Sequence, residues 1–149
     1  MKVKTLLVLA VLAIGTSAVT WFNYYAPMSK ADAGKEYLRL VAPFNQLGDY
    51  YKSLGDVTDK NLAQHKDAAG KLADADHEFV LALEKETRWP TETQPHINDL
   101  VKQDATEIEI YRAMAKATTV ADFEAADSGW PSGNAAEEVR LSLGLPDVE

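Results

Sequence analysis

Apolar residues recur at steps of three and four along most of this chain, the spacing that places side chains on one face of an α-helix. The first such stripe predicts a helix over 29–54 that ends at Gly55. Pro43 lies in the middle of this stripe and removes one backbone hydrogen bond, so a kink is expected there. Two further stripes predict long helices over 58–88 and 95–117.

Shorter helices are predicted near the end of the chain, the last of them closed by Gly144. Helix starts are marked by a Ser, Thr or Asn with an acidic residue three positions later, which is the pattern of a capping box. The three pairs are Ser29 with Asp32, Thr119 with Asp122, and Asn134 with Glu137. No stretch alternates with the period of two that is typical of strands, so the predicted fold class is all-α.

The three long stripes must bury one another, which predicts an antiparallel bundle of three long helices completed by the short C-terminal ones. Small residues on the stripes predict close helix approach with little room for a ligand cavity. The residues predicted to form the core are Tyr37, Leu40, Val41, Phe44, Leu47, Leu72, Phe79, Val80, Leu83, Leu100, Val101, Ile108 and Tyr111.

The first 28 residues have the layout of a membrane anchor. Two lysines precede an apolar run of 22 residues from Thr5, about 33 Å of helix and long enough to span a bilayer. An aromatic group at the far end suits the headgroup level. The residues predicted to act as the anchor are Lys2, Lys4, Trp21, Phe22, Tyr24 and Tyr25. The alternative is a signal peptide cleaved after Ala18.

Either alternative places the rest of the chain outside the cytoplasm. The predicted domains are a signal-anchor or transmembrane segment, 1–28, and an extracytoplasmic helical bundle, 29–149. With the segment retained, the protein is a single-pass protein of the cell membrane with its N-terminus in the cytoplasm. With the segment cleaved, it is secreted.

Composition narrows the chemistry further. The absence of cysteine excludes disulfides, thiolate metal ligands and a lipidated cysteine. A formal net charge of -8 repels phosphate backbones, so no nucleic-acid partner is expected. The chain has no nucleophile elbow, no phosphate-cradling glycine loop and no paired zinc motif, so we predict no enzymatic activity and no cofactor.

Three motifs, "YLRLVAPFN" (37–45), "RWP" (88–90) and "NAAEEVRLSLGLP" (134–146), spread over most of the part after the anchor. In these motifs the chain resembles a group of small secreted or membrane-attached helical proteins of actinobacteria that are lipoprotein-like and of unknown function. The resemblance implies attachment to the cell envelope but no activity and no site residue. This chain departs from the group in lacking the lipidated cysteine, which favours the spanning helix.

Acidic and histidine side chains give two candidate constellations. Asp74 and His77 have the spacing by which a helical carboxylate and histidine share a metal, but only one copy exists, so a solvated helix face is expected and no metal is predicted. Asp76 and Asp104 fall on the apolar stripes of the second and third helices. They either form an acid/base or metal-binding pair in the core, or lie at seam edges, the outer margins of the contact between two helices.

The seam-edge interpretation is the favoured one. There each carboxylate bonds a basic residue such as Arg39 or Arg112, or a tyrosine hydroxyl.

Three aromatic residues lie next to predicted helix ends, namely Tyr50, Trp89 and Trp130. The favoured interpretation is that they cap the core, and the alternative is that they form a candidate partner surface. An anchor with a compact domain and no chemistry of its own suits a non-catalytic accessory or assembly subunit of a larger cell-envelope membrane complex, a respiratory or other energy-transducing complex being one candidate. The predicted partners are therefore other membrane or envelope proteins, with the membrane contacted through the N-terminal helix. The alternative is a secreted or tethered helical module that binds a small ligand or a metal.

Overall fold

A computed structural model describes residues 26–146 of the chain. This part is all-helical, with no strand between residues 26 and 146. The helices are α1 (Lys30–Ser53), α2 (Leu62–Lys85), α3 (Gln94–Lys116), α4 (Val120–Asp127) and α5 (Ala135–Ser142). The prediction of a bundle of three long helices with short C-terminal ones is therefore confirmed.

The predicted membrane anchor lies almost entirely outside the described residues. Its six anchor side chains, from Lys2 to Tyr25, all belong to the part that the structure does not describe. Within residues 26–146, no helix combines the length and the apolar character that crossing a bilayer requires.

The first long helix begins and ends where the sequence predicts. The Ser29 hydroxyl accepts a hydrogen bond from the Asp32 backbone N–H (3.2 Å), which satisfies one free donor of the first turn. The helix continues through Pro43 as a single element. Gly55 follows it at φ +67°, and Gly144 follows α5 at φ +69°, a backbone conformation in which glycine carries no Cβ penalty.

The second long helix is shorter at both ends than its apolar stripe predicts, so the predicted range 58–88 is wrong by a few residues. At the start, the Asn61 carboxamide accepts from the Thr58 backbone N–H (2.7 Å) and donates to the Asp56 carbonyl (3.0 Å), which holds a turn in place of a helix. At the end, the Arg88 backbone N–H donates to the Glu86 carboxylate (2.8 Å), and Glu86 is already extended.

The two short helices begin in different ways. Thr119 and Asp122 form the predicted capping box at the start of α4. The predicted box of Asn134 with Glu137 is wrong, because Asn134 makes no side-chain cap. Instead, the Ala135 backbone N–H donates to the Gln103 Oε1 atom of α3 (3.2 Å). A side chain from a neighbouring helix therefore satisfies the N-terminus of α5.

Ring contacts fix the directions of the long helices. Tyr37 near the start of α1 meets Phe79 near the end of α2, and Tyr51 near the end of α1 meets His65 near the start of α2. The first two helices are therefore antiparallel. The α2–α3 pair makes the most extensive contact in the described domain, and a Cβ at Gly70 would lie 3.7 Å from the Cβ of Ala115.

The interior divides into two apolar groups. The first core cluster joins α1, α2, α3 and α5 and consists of Ala33, Tyr37, Val41, Phe79, Leu83, Trp89, Ile97, Leu100, Val139 and Leu143. The second core cluster joins α2, α3 and the start of α4 and consists of Ala69, Met114, Ala117 and Phe123. On α2 and α3, the residues between the two clusters are those around Asp76 and Asp104.

The predicted core is confirmed for most of its members, but it includes some residues that are only half-buried. Eight of the thirteen predicted residues are buried, and the others are half-buried. The half-buried ones are Leu40, Phe44, Leu47, Val101 and Tyr111. The helical phase deduced from the sequence is therefore correct.

Candidate functional site

A cavity of about 450 Å³ opens between α1, α2, α3 and α5. Four aromatic side chains, Tyr37, Phe44, Phe79 and Tyr111, form much of its wall. Four carboxylates also line it: the exposed Asp49, and a group of three that consists of Asp76, Asp104 and Glu107. We call this space the carboxylate cavity. The prediction that small core residues leave little room is wrong here, because Ala69 and Ala73 lie elsewhere along α2 and do not line it.

The three carboxylates come from the two helices in closest contact. Asp76 lies on α2, and Asp104 and Glu107 are three residues apart on α3, which places them on one face. One oxygen from each carboxylate lies within 4.8 Å of an oxygen of the other two. Only 1% of Asp76 and 6% of Asp104 is exposed, while Glu107 is half-buried.

The buried carboxylates have unsatisfied oxygens. Among residues 26–146, no group hydrogen-bonds to Oδ2 of Asp76 or to Oδ2 of Asp104. Burial raises the pKa of Asp76 to about 7, with the Glu107 charge as the second cause. Burial also raises the pKa of Asp104 to about 8, helped by the charges of Asp76 and Glu107. A group in this state favours any species that brings positive charge.

The favoured sequence-based interpretation, that each aspartate lies at a seam edge and bonds a basic residue or a tyrosine hydroxyl, is wrong, because both aspartates are buried and Oδ2 of each has no partner among residues 26–146. Arg39 donates instead to Glu36 (2.6 Å), and Arg112 donates to Glu109 (2.7 Å), both within their own helices. These intrahelical pairs occupy the arginines on the outer faces. The two aspartates lie together in the interior, which is the arrangement that the sequence offered as the alternative.

Glu107 is the member of the site that sequence reasoning missed. Its carboxylate accepts from the Gln103 amide (2.8 Å), and the same Gln103 accepts from the Ala135 backbone at the start of α5. Gln103 thus links the third carboxylate to a fourth helix. The three-residue step from Asp104 to Glu107 is the signal that identifies this residue.

Two tyrosines of the cavity stay protonated at neutral pH. Burial raises the pKa of Tyr37 to about 12, and the nearby Asp104 charge adds to the effect. Burial, followed by the Glu107 charge, also raises the pKa of Tyr111. These rings are therefore neutral walls, and Tyr111 packs edge-on against both Phe44 and Trp130.

The three aromatic residues of the predicted partner surface do not share one environment. Trp89 is only 3% exposed, and its indole N–H donates to the Leu83 carbonyl (3.1 Å), so it is a core residue and not a surface one. Tyr50 and Trp130 remain 44% and 37% exposed. The indole N–H of Trp130 is bound to Asp127 (2.9 Å).

The histidines lie outside the carboxylate cavity. Asp74 and His77 are both exposed on α2, on the solvated face that the sequence favours. His65 is 2% exposed, between the rings of Tyr51 and Phe123, and neither ring nitrogen has a hydrogen-bond partner among residues 26–146.

Comparison with protein-family models, with curated proteins and with solved structures finds no match to this chain. The functional argument therefore depends on the geometry of the carboxylate cavity. Three converging carboxylates can bind a cation or share protons. The residues lining the cavity include no serine, threonine, cysteine or histidine that could act as a nucleophile or as its base.

Proposed function

We propose that this chain is a non-catalytic binding module, held at the outer face of the cell membrane, that takes a small positively charged ligand into the carboxylate cavity. The observation that carries the proposal is the pair of unsatisfied oxygens on Asp76 and Asp104, both buried and both facing the same space. The location comes from the sequence of the first 28 residues.

Burial of two carboxylates without partners opposes folding. An ionised carboxyl removed from water costs several kcal/mol unless a counter-charge or hydrogen bonds replace the lost hydration. Apolar residues at the same stripe positions would stabilise the bundle instead. Positions where a sequence breaks the rules of its own fold are typically functional, and a cation supplies the missing counter-charge here.

The shape of the cavity supports binding of a small species. Its volume of about 450 Å³ lies in the range of ligand sites, and its aromatic walls suit a partly dehydrated cation. The charged groups converge at the α2–α3 seam, where two long helices hold Asp76 and Asp104 rigidly. Binding needs only these groups, and the cavity lining adds no serine, threonine, cysteine or histidine to them.

Thermal unfolding of the full chain in mild detergent tests this proposal. The chloride salts of Ca²⁺, Mg²⁺ and Mn²⁺ and a set of small alkyl amines and diamines are screened after dialysis against a chelator. A ligand present at 100 times its dissociation constant should stabilise the fold by about 2.7 kcal/mol. The shift should vanish in the double variant Asp76→Asn, Asp104→Asn and persist in Asp74→Asn, which changes an exposed carboxylate of the same helix.

A screen in which no cation protects the wild type more than the double variant contradicts the proposal. A cation that protects all three proteins equally acts on the acidic surface and not in the cavity, and it counts against the proposal in the same way.

A second function, an accessory or assembly subunit of a larger cell-envelope complex, is supported by the exposed aromatic side chains Tyr50 and Trp130. Exposed aromatics are enriched where proteins meet partners. Crosslinking with mass spectrometry, on protein purified in mild detergent from its own cells, tests it. Crosslinks to the same membrane proteins that weaken in Tyr50→Ala or Trp130→Ala support the subunit, and a free monomer contradicts it.

A further inference from the structure

We propose that Asp76, Asp104 and Glu107 together hold one hard divalent cation of the Ca²⁺ or Mn²⁺ type, bound through oxygen atoms at the α2–α3 seam. This inference rests on the proposed function and specifies its ligand.

The spacing of the carboxylates suits a single ion. Ca²⁺–oxygen bonds are about 2.4 Å long, so oxygens on opposite sides of one ion are about 4.8 Å apart and all other pairs are closer. One oxygen from each of Asp76, Asp104 and Glu107 falls within 4.8 Å of the other two. The three groups therefore lie within the span of one ion's coordination shell.

The donor atoms select the class of ion. Every side-chain donor at the centre of the site is a carboxylate oxygen, and the cavity lining contains neither histidine nor cysteine. Oxygen donors prefer hard cations, whereas zinc and copper favour nitrogen and sulfur. Water supplies the further oxygens that such ions require.

The charge of the cavity wall points to a divalent ion. Four acidic side chains line the cavity against two basic ones, Lys52 and Arg140, so the wall has an excess of two negative charges once all four carboxyls have released their protons, as metal binding requires. Lys52 is exposed on α1 and makes no ion pair with any of the three carboxylates among residues 26–146. One divalent ion balances this excess.

Gln103 acts as a positioning residue for the site. Its amide donates to Glu107 (2.8 Å) while its carbonyl accepts from the Ala135 backbone (3.2 Å), so the third carboxylate is tied to the start of α5. Groups that orient metal ligands in this way influence affinity although they do not contact the ion.

Terbium luminescence tests the metal directly. Tb³⁺ is a hard, calcium-like probe that emits when a nearby excited tyrosine transfers energy to it, and Tyr37 and Tyr111 line the cavity. The full chain, freed of metal with a chelator and kept in mild detergent, is titrated with Tb³⁺. We expect a saturable signal at one ion per chain that Ca²⁺ or Mn²⁺ displaces.

The variants separate the site from the acidic surface. Affinity for Tb³⁺ should fall at least about 10-fold in Asp76→Asn and in Asp104→Asn, and stay within about 2-fold of wild type in Asp74→Asn. Glu107→Gln, which alters a half-buried side chain, should also lower the affinity and gives a second variant if an aspartate change disturbs folding. Far-UV circular dichroism checks the fold of each.

Gln103→Ala tests the positioning role. We expect an affinity loss of about 10-fold together with a changed luminescence lifetime, because a loosened Glu107 admits another water molecule to the ion. An unchanged lifetime with unchanged affinity contradicts this role.

The metal hypothesis is overturned if Tb³⁺ gives no saturable signal, or if the double variant Asp76→Asn, Asp104→Asn binds as tightly as wild type. Failure of this inference and failure of the proposed function are distinguishable. If alkyl amines protect the wild type and not the double variant while Ca²⁺, Mn²⁺ and Tb³⁺ do nothing, the cavity binds cations but the metal is wrong.

Discussion

The buried aspartates of the carboxylate cavity lie about one helical turn from Phe79 and Leu100 of the first core cluster, yet polar atoms have opposite environments in the two regions. In the cluster, Phe79 packs edge-on against Tyr37 (5.9 Å between ring centroids), and even the indole N–H of Trp89 has an acceptor. In the cavity, Asp76 and Asp104 each keep an oxygen without a partner. The first core cluster therefore stabilises the fold, whereas the buried aspartates of the cavity destabilise it.

The two aspartates lie between the two core clusters. On α2 and α3, the second core cluster with Ala69 and Met114 lies on one side of the aspartates, and the first cluster with Phe79 and Leu100 lies on the other. Two apolar clusters that brace the helices on both sides hold two repelling carboxylates together. The clusters therefore make the cavity possible, and changes to either region should have opposite effects on stability.

The largest expected effect is that of Phe79→Ala in the first core cluster. Phe79 is 5% exposed, so truncation removes a buried ring and leaves a void, at a cost of about 3 to 5 kcal/mol in the free energy of unfolding. Urea denaturation measures it. Phe44→Ala is the matched control, because Phe44 is only half-buried and its truncation should cost less. Equal losses of stability at both positions would contradict the expectation that Phe79 contributes more than Phe44.

The next effect is the pH dependence of stability that the cavity produces. The pKa of Asp76 is about 7 and that of Asp104 about 8, against 3.8 for an ordinary aspartate, so the folded chain holds protons that the unfolded chain releases. Stability from these groups is therefore complete below pH 3.8. It is lost progressively as the pH rises from 3.8 to about 7 for Asp76 and to about 8 for Asp104. Each carboxyl should cost about 1.4 kcal/mol per pH unit within that window.

Urea denaturation of the metal-free full chain from pH 5.5 to pH 8.5 measures this slope. The double variant Asp76→Asn, Asp104→Asn isolates the two groups, since it removes their titration and keeps their shape. We expect it to gain stability relative to wild type as the pH rises, while it loses the ligand. A difference that does not change with pH would show that the two carboxyls have ordinary pKa values in the folded chain.

The sequence predicts the first core cluster much better than the cavity. The helical stripes place Phe79, Leu83 and Leu100 in the core because a periodicity of 3.6 depends only on the local chain. Trp89 lies in a connection, where no periodicity indicates which way a side chain faces, so the sequence left a core position and an exposed partner surface as alternatives for it. The start of α5 was predicted at the right residue, but its cap was not, because the capping side chain is Gln103 of another helix.

The cavity depends on quantities that no local pattern contains. Asp76 and Asp104 are conspicuous on their stripes, but whether they meet depends on how far α2 is shifted along α3. That register follows from packing at both clusters. Small residues such as Ala69 predicted close approach, which holds in the second cluster but not beside the aspartates.

A smaller effect is expected for Trp89→Phe, which tests whether satisfied polar atoms matter in the first core cluster. The change keeps an aromatic ring but removes the donor to the Leu83 carbonyl, and it leaves that buried carbonyl without this bond. The loss should be about 1 to 2 kcal/mol in the free energy of unfolding. Trp130→Phe is the control, since the indole of exposed Trp130 bonds Asp127 at the surface. A larger loss for Trp130 would reverse the assignment of core and surface.

The smallest expected effect is that of Asp74→Asn, and it defines what is special about its neighbour Asp76. Both aspartates lie on α2 two residues apart, but Asp74 is exposed and Asp76 faces the cavity. Water hydrates an exposed carboxylate fully, so its removal should change the free energy of unfolding by less than about 0.5 kcal/mol. Urea denaturation at pH 7.5 compares Asp74→Asn with Asp76→Asn. If both variants gain the same stability, the benefit comes from the lower net charge of the chain, and burial of Asp76 contributes nothing of its own.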